Sequence, residues 1–146
     1  MRAIGVAAWL LIVLAAAPAA AQRSAEPPNL PAFARSLGLR EVDAFAETVQ
    51  SLRTANRLPP QYVTKDQARA RGWRGGGLCA LWPGHVIGGD VFHNSGGSLP
   101  DMPGRRYREA DLDSDCRGRG PRRLVFSSDG RIYVTLDHYN SFVPVP

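Results

Sequence analysis

The order of two hydrophobic patterns constrains the fold of this chain more than any other feature of its sequence. Apolar residues recur at helical spacing through residues 39–56, and those on one side are Val42, Phe45, Ala46, Val49 and Leu52. Strand-like runs follow at residues 124–127 and 131–136, and Ser128-Asp129-Gly130 between them supplies a tight hairpin turn. Helices that precede consecutive strands predict an α+β fold, with N-terminal helices packed on an antiparallel sheet.

Shorter patterns extend this prediction in both directions. Thr64 is the expected N-cap of a second, short helix, Gln67 is its capping-box partner, and Gly72 ends it. Residues 86–92 form a short apolar run that is broken by glycines, and residues 142–145 predict a short strand at an edge of the sheet.

The N-terminus has the pattern of a secretory signal peptide. Arg2 supplies a positive start, a nearly continuous apolar run covers residues 4–17, and small residues at 19–21 offer a cleavage point before Gln22. The apolar run is too short and wrongly flanked for a membrane span. We therefore expect a secreted or periplasmic protein that leaves the membrane after signal cleavage.

The remaining chain is expected to form one small domain. Residues 1–21 are the predicted signal peptide, residues 22–38 are a predicted flexible lead-in, and residues 39–146 are the predicted domain. Without Arg2, the 18 basic residues become 17 against 13 acidic ones, which leaves a formal charge of +4. A modest positive charge suits a polyanionic partner, although many secreted proteins share it.

The chain has two cysteines, Cys79 and Cys116, and an even count in an exported protein favours a disulfide bond. The bond would close a loop of 37 positions, for which chain entropy predicts a stabilisation of roughly 4 kcal/mol. The competing interpretation is a metal site formed by both cysteines with His85 and His93. Its spacing matches no common zinc pattern, so the disulfide is favoured.

An acid–base pair with arginines between its members indicates the chemistry. Glu109 lies in an arginine-flanked run, His138 lies near the C-terminus, and Arg119, Arg122 and Arg123 lie between them. Metal-free cleavage of an RNA phosphodiester needs a base for the 2′-hydroxyl, an acid for the leaving oxygen and cations for the charge on phosphorus. A glutamate or a histidine taken alone is more often a surface or structural residue.

Side-chain alternation places these groups on the faces of the predicted strands. Around Glu109, one face carries Tyr107, Glu109 and Asp111, and the last long strand carries Ile132, Val134, Leu136 and His138 at one parity. Adjacent strands lie about 5 Å apart. An antiparallel meander is therefore expected to place Glu109, Arg123 and His138 on one face of the sheet.

Several motifs in the same order resemble the microbial guanyl-specific ribonucleases, a barnase-like family of secreted enzymes. The matching stretches are LPPQYVTK (58–65), ARGW (70–73), PGHVIGGDVF (83–92), LP (99–100), GRRYREAD (104–111), SSD (127–129) and DHY (137–139). The family fold has helices packed on an antiparallel sheet, which agrees with the order of patterns described above.

The resemblance implies a role for each matched residue. Glu109 would be the general base and His138 the general acid, with Lys65, Arg119 and Arg123 as the cations that bind phosphate and stabilise the transition state. The substrate cleft would contain Asp90, Phe92, Asn94, Ser95 and Tyr139, with Asp90 also helping to hold the cations. The family works as a monomer without a cofactor, which is our expectation here.

The sequence departs from the family in the loop that reads the base. This loop is His93-Asn94-Ser95-Gly96-Gly97-Ser98, where Ser95 replaces an arginine and Gly96 replaces the carboxylate that accepts from guanine. Loss of that carboxylate predicts a relaxed guanine preference with cleavage retained. The arginine also contacts the family's protein inhibitor, so the resemblance does not carry over recognition by a barstar-like inhibitor.

We therefore predict a secreted endoribonuclease that cleaves single-stranded RNA through a 2′,3′-cyclic phosphate to a 3′-phosphate. One alternative is an exported nucleic-acid-binding protein on the same scaffold that does not catalyse cleavage. Another alternative is an antibacterial ribonuclease toxin.

Overall fold

A computed structural model describes residues 29–146 as three helices and six strands. The helices are α1 (Leu30–Ser36), α2 (Val42–Ala55) and α3 (Lys65–Ala70). The strands are β1 (Tyr62–Val63), β2 (Val86–Phe92), β3 (Tyr107–Asp111), β4 (Arg123–Ser127), β5 (Ile132–Thr135) and β6 (Val143–Pro144). The predicted signal peptide lies outside the described residues. Within them, no helix has both the length and the apolar character that a membrane crossing requires.

The six strands form one sheet in chain order, β1 to β6. Every neighbouring pair from β2 to β6 is antiparallel, which confirms the predicted α+β fold with helices on an antiparallel sheet. The exception is β1, which pairs with β2 in parallel. Parallel pairing is possible here because α3 and a long loop provide the crossover between the two strands. The sequence patterns did not predict β1, because two residues are too few to show alternation.

The first helix differs from the prediction of a flexible lead-in over residues 22–38, of which residues 22–28 lie outside the described part of the chain. Residues 30–36 are helical, and the side chain of Asn29 accepts a hydrogen bond of 2.9 Å from the N–H of Ala32. Pro31 stands at the start of α1, where its missing N–H costs nothing. Ala34 is fully buried in the main core, so packing stabilises a helix that is too short to persist alone.

The second helix begins later than the predicted residue 39. The carboxylate of Asp113 accepts hydrogen bonds from the N–H groups of Arg40 and Glu41, at 2.9 and 3.0 Å. These bonds fix a non-helical connection before Val42. The helix ends at Ala55, and its C-cap Asn56 has a φ of 49°, the left-handed conformation that terminates many helices.

The sheet separates two apolar clusters, which we call the helix side and the cleft side. The helix side contains Phe45, Val49, Leu124, Ile132 and Val134, among other residues. The cleft side contains Leu99, Tyr107, Val125 and Tyr133, with Phe92, Tyr139 and Phe142 packed against them. Alternation in β3 therefore places Glu109 and Tyr107 on the cleft side, as predicted.

A third cluster joins α3 to the sheet, and the disulfide bond joins it to a distant loop. Val63, Ala68, Leu78 and Ile87 form this small core. Cys79 follows it directly and is bonded to Cys116, 37 positions later, with the two Cα atoms 5.0 Å apart. The predicted disulfide is confirmed, and the metal site that would have used both cysteines is wrong.

Candidate active site

The carboxylate of Glu109 is held between a cation and a phenol. Glu109 lies on β3 and is only 6% exposed. Its Oε1 accepts from Lys65 Nζ at 2.7 Å, and its Oε2 accepts from the hydroxyl of Tyr139. Burial alone raises the pKa of Glu109, but the Lys65 and Tyr139 hydrogen bonds outweigh it and hold the pKa below its ordinary value. The carboxylate is therefore ionised at neutral pH and suited to accept a proton.

Local structure at the start of α3 fixes the position of Lys65. Thr64 and Gln67 form the predicted capping box, so Lys65 is the first residue of the helix. The Asp90 carboxylate accepts from the backbone N–H of Lys65 at 3.0 and 3.3 Å. We expected Asp90 to help hold the cation cluster, and its contact in the structure is with the backbone N–H of Lys65.

Asp111 pairs with both predicted phosphate-binding arginines. Arg119 donates two hydrogen bonds to this carboxylate, from Nε at 2.8 Å and from Nη2 at 2.7 Å. Arg123 places its Nε 3.0 Å from Oδ1 in an ion pair whose angles are not those of a hydrogen bond. Burial raises the pKa of Asp111, although both guanidinium groups favour its ionised form.

The two arginines differ in their access to solvent. The side chain of Arg119 is 20% exposed, whereas that of Arg123 is 3% exposed. Arg123 also donates to the carbonyl groups of Gly120 and Arg122, at 2.8 and 2.7 Å. Arg119 is thus available to a bound anion, and Arg123 anchors the loop that carries it. Sequence alternation had placed Asp111 on this face without indicating its two partners.

His138 lies in a turn and not on the extended strand that the alternation assumed. The strand β5 ends at Thr135, and His138 and Tyr139 both have positive φ, at 55° and 72°. Continued alternation from Leu136 would have placed His138 on the helix side of the sheet. Strand alternation was therefore the wrong basis for predicting which face His138 occupies. The reversal is fixed by Asp137, whose carboxylate accepts from Thr135 and Ser141.

The turn places His138 beside the Glu109 site. The N–H of His138 donates to the carbonyl of Pro121 at 3.1 Å, which joins the turn to the loop before β4. Its exposed ring lies 4.8 Å, between centroids, from the ring of Tyr139. Because the Tyr139 hydroxyl contacts Glu109, a single side chain connects the two predicted acid–base groups.

Aromatic rings and the glycine-rich loop border the same face. Phe92 stacks on Tyr139 with centroids 5.1 Å apart. Asn94 uses its side-chain amide to close the loop, donating to the carbonyl of Leu99 at 2.7 Å and accepting from its N–H at 3.1 Å. Asn94 therefore shapes the loop, while Ser95 and Gly96 are exposed on it. A cavity of about 400 Å³ adjoins this loop.

A larger cavity of about 580 Å³ lies elsewhere, between the start of α2, the disulfide and His85, and none of the predicted catalytic, phosphate-binding or cleft residues lines it. Among residues 29–146, no three carboxylate, imidazole or thiol groups come together as a metal site would require.

Comparisons with known proteins agree with this geometry. Residues 46–146 match the profile of the family described as ribonuclease. A ribonuclease of Bacillus intermedius is 44% identical over 109 residues, which are 73% of this chain and 67% of the relative. A ribonuclease of Heyndrickxia coagulans is 44% identical over 106 residues, which are 71% of this chain and 97% of the relative. Guanyl-specific ribonuclease St of Saccharopolyspora erythraea is 40% identical over 55 residues, which are 37% of this chain and 54% of the relative.

Proposed function

The chain belongs to the ribonuclease family and is an endoribonuclease, and from that premise we propose that Glu109 is its general base and His138 its general acid. The observation that carries this proposal is the Glu109 carboxylate, buried yet kept ionised by Lys65 and Tyr139. A buried carboxylate with two donors and a nearby exposed imidazole is the arrangement that proton transfer on both sides of a phosphate requires.

The proposed reaction has two steps. Glu109 removes the proton from a 2′-hydroxyl, the oxygen attacks phosphorus in line, and His138 donates a proton to the departing 5′-oxygen. A 2′,3′-cyclic phosphate results. In the second step the roles reverse, so His138 activates water and Glu109 protonates the 2′-oxygen to leave a 3′-phosphate. DNA lacks the internal nucleophile and is not a substrate.

The proposed cations divide into two that reach the substrate and one that supports them. The side chains of Lys65 and Arg119 are 27% and 20% exposed, so both are accessible from solvent. Each would stabilise the charge that gathers on the phosphoryl oxygens. Arg123 is too buried to make extensive contact with the phosphoryl oxygens, and its role is to position Arg119 through Asp111.

Guanine preference is proposed to be relaxed. With Ser95 and Gly96 in the loop, no carboxylate side chain within residues 93–98 can accept from the base. A recognition site that has lost a charged acceptor loses discrimination more than it loses chemistry. We expect the ratio of kcat/KM for GpN over ApN dinucleotides to be well below that of a relative with an arginine and a carboxylate at these positions. Equal ratios for the two enzymes would contradict relaxation.

We further propose that the protein acts outside the cytosol as a monomer after removal of residues 1–21. The disulfide supports this location, because such bonds persist in oxidising compartments. Detection of the cleaved chain in culture medium or periplasm would test the export.

The test of the proposed function is RNA cleavage by residues 22–146 in the presence of EDTA. We expect single-stranded RNA to be degraded by the wild type and about 10²–10⁴-fold more slowly by Glu109→Gln. Complete resistance of RNA to the folded wild type would favour the non-catalytic binding protein instead.

A further inference from the structure

A small basic pocket lies on the helix side of the sheet, beyond the end of α2. We call it the arginine pocket, and its volume is about 190 Å³. Its lining residues are Asn56, Arg106, Arg108, Phe126, Ser127 and Ser128, none of which is acidic. The proposed acid–base chemistry uses none of these residues, so the pocket needs a separate explanation.

The two arginines have free hydrogen-bonding capacity. Within residues 29–146, neither Arg106 nor Arg108 forms an ion pair with a carboxylate. Arg108 donates to the carbonyl of Gly89 at 2.5 Å, which holds its guanidinium in place and leaves its other N–H groups available. Asp129, on the adjoining turn, is instead bound by Arg105 through contacts of 2.7 and 3.0 Å.

The arginine pocket connects to the proposed cleft around an open edge of the sheet. The strand β1 pairs with β2 only at Val86 and Ile87, so among residues 29–146 no strand covers the rest of β2 on that side. Val91 lies in register with Arg108 and is 50% exposed. The cavity beside the base-reading loop shares Arg106 with the arginine pocket, so one basic side chain borders both.

We propose that the arginine pocket is an accessory site for a backbone phosphate of the RNA strand that occupies the cleft. This inference rests on the proposed function, since it assigns a second contact to the same substrate. Guanidinium groups bind phosphate oxygens through several N–H groups at once, and the hydroxyl of Ser128 and amide of Asn56 provide neutral donors beside them. The strand would pass from Phe92 over Val91 to reach Arg106 and Arg108.

The experiment compares a cleavable dinucleotide with a decanucleotide that contains the same single cleavable step, extended on its 5′ or 3′ side with 2′-deoxynucleotides. The variant is Arg108→Gln, and the matched control is Arg74→Gln, which removes the same charge from an exposed arginine outside the pocket. Binding is measured separately by fluorescence anisotropy, with a fully deoxy version that cannot be cleaved.

We expect the wild type to cleave one of the extended substrates with a higher kcat/KM than the dinucleotide. In the pocket variant, the ratio of kcat/KM on the extended substrate to kcat/KM on the dinucleotide should be about 5-fold smaller than in the wild type, because exposed charge pairs contribute modestly. Its affinity for the deoxy probe should fall correspondingly. For the same probe, a plot of the logarithm of the binding constant against the logarithm of the salt concentration should become less steep by about 0.7 for each phosphate contact removed. The dinucleotide rate, which also reports correct folding, should equal that of the control variant.

Two results would overturn the accessory site: equal losses in the pocket and control variants, or a parallel loss on the dinucleotide. A wild type that cleaves the dinucleotide but gains nothing from extension refutes only the accessory site. A folded wild type that cleaves neither substrate refutes the proposed function, and the anisotropy measurement still tests whether the pocket binds the strand.

Discussion

Lys65 and Tyr139 hold the two oxygens of the Glu109 carboxylate from different elements of the fold. Lys65 comes from the start of α3, and Tyr139 comes from the turn after β5. Burial, together with the bond to Glu109, raises the pKa of Tyr139 well above its ordinary value, so its hydroxyl remains a donor at every pH relevant to catalysis. The carboxylate therefore keeps both donors until it accepts a proton.

The first prediction concerns Tyr139→Phe. Removing the hydroxyl takes away a hydrogen bond that favours ionised Glu109, so the pKa of Glu109 rises. The acidic limb of the kcat/KM profile should move to higher pH, because the base is then protonated over a wider range. The measurement is the pH dependence of kcat/KM on a dinucleotide.

The control for this variant is Tyr133→Phe. Tyr133 is a buried tyrosine of the same cleft-side cluster, and it makes no contact with the Glu109 carboxylate among the hydrogen bonds of the described residues. An acidic limb that stays unchanged in Tyr139→Phe, or that moves equally in both variants, would contradict the proposed role of Tyr139.

Single residues of the site differ in how far sequence could predict them. Glu109 and Arg123 follow from alternation, because both lie within regular strands whose faces are fixed by the core. His138 does not, since its position depends on two successive residues with positive φ, which no periodicity describes. The pairing of Asp111 with both Arg119 and Arg123 could not be predicted either, because Arg119 comes from an irregular loop.

Among the structural elements, the segment between β3 and β4 is the least regular part of the site. It carries Arg119 and is tied down at three places: at Asp113 by Arg122, at Cys116 by the disulfide, and at Arg119 by Asp111. The disulfide links this segment to the small core that supports α3. The disulfide therefore ties the segment that carries Arg119 to the core beneath α3, the helix that carries Lys65.

The second prediction is that Cys79→Ser/Cys116→Ser lowers the free energy of unfolding by roughly 4 kcal/mol, the chain-entropy value for a loop of 37 positions. Urea unfolding at neutral pH measures it, with chemically reduced wild type as the control. Because Asp111 still holds Arg119, kcat/KM at 25 °C should stay within a few-fold of wild type. A free energy of unfolding that is the same in the serine variant and the wild type would contradict this prediction, because it would show that the loop is already constrained without the bond.

The hairpin between β4 and β5 is joined to the entry of β3 through Asp129. Its carboxylate accepts from Arg105 and from the hydroxyl of Ser127, and these hydrogen bonds lower its pKa to about 2. A carboxyl group whose pKa is lowered by folding contributes stability above its unfolded pKa of about 3.9. That contribution is lost as the pH falls through about 2.

The third prediction follows from this titration. The stability difference between wild type and Asp129→Asn should be constant above about pH 5 and shrink as the pH falls from 4 to 2. Thermal unfolding across that pH range measures it. Asp101→Asn, at an exposed residue with no ion pair among the described residues, is the control. A difference that grows on acidification would contradict the assignment.

At the level of elements, long periodic segments were predictable and short ones were not. The periodicity through residues 39–56 predicted α2, and the Thr64–Gln67 pair predicted the start of α3, because each signal depends on local chemistry. By contrast, α1 has seven residues and β1 has two. Both owe their structure to contacts with distant parts of the chain, which a local pattern cannot show.

In the molecule as a whole, the main apolar core and the charged groups of the proposed active site lie on opposite faces of the sheet. The helix side holds the larger apolar cluster, formed with α1 and α2. The cleft side carries Glu109, Asp111 and Arg123 on β3 and β4, the two central strands of the sheet. Groups on central strands are held on both sides by backbone hydrogen bonds, so the charged cluster has a rigid support.

The measurement that tests the central claim most directly is the cleavage of a GpN dinucleotide in EDTA by wild type, Glu109→Gln and His138→Ala, with the 2′,3′-cyclic product quantified. Matching thermal unfolding curves would show that all three proteins are folded. We predict that the wild type forms the cyclic phosphate with a bell-shaped pH profile, and that each variant is about 10²–10⁴-fold slower and lacks one limb. A folded Glu109→Gln protein that cleaves at the wild-type rate, with an unchanged profile, would contradict the assignment of Glu109 as the base.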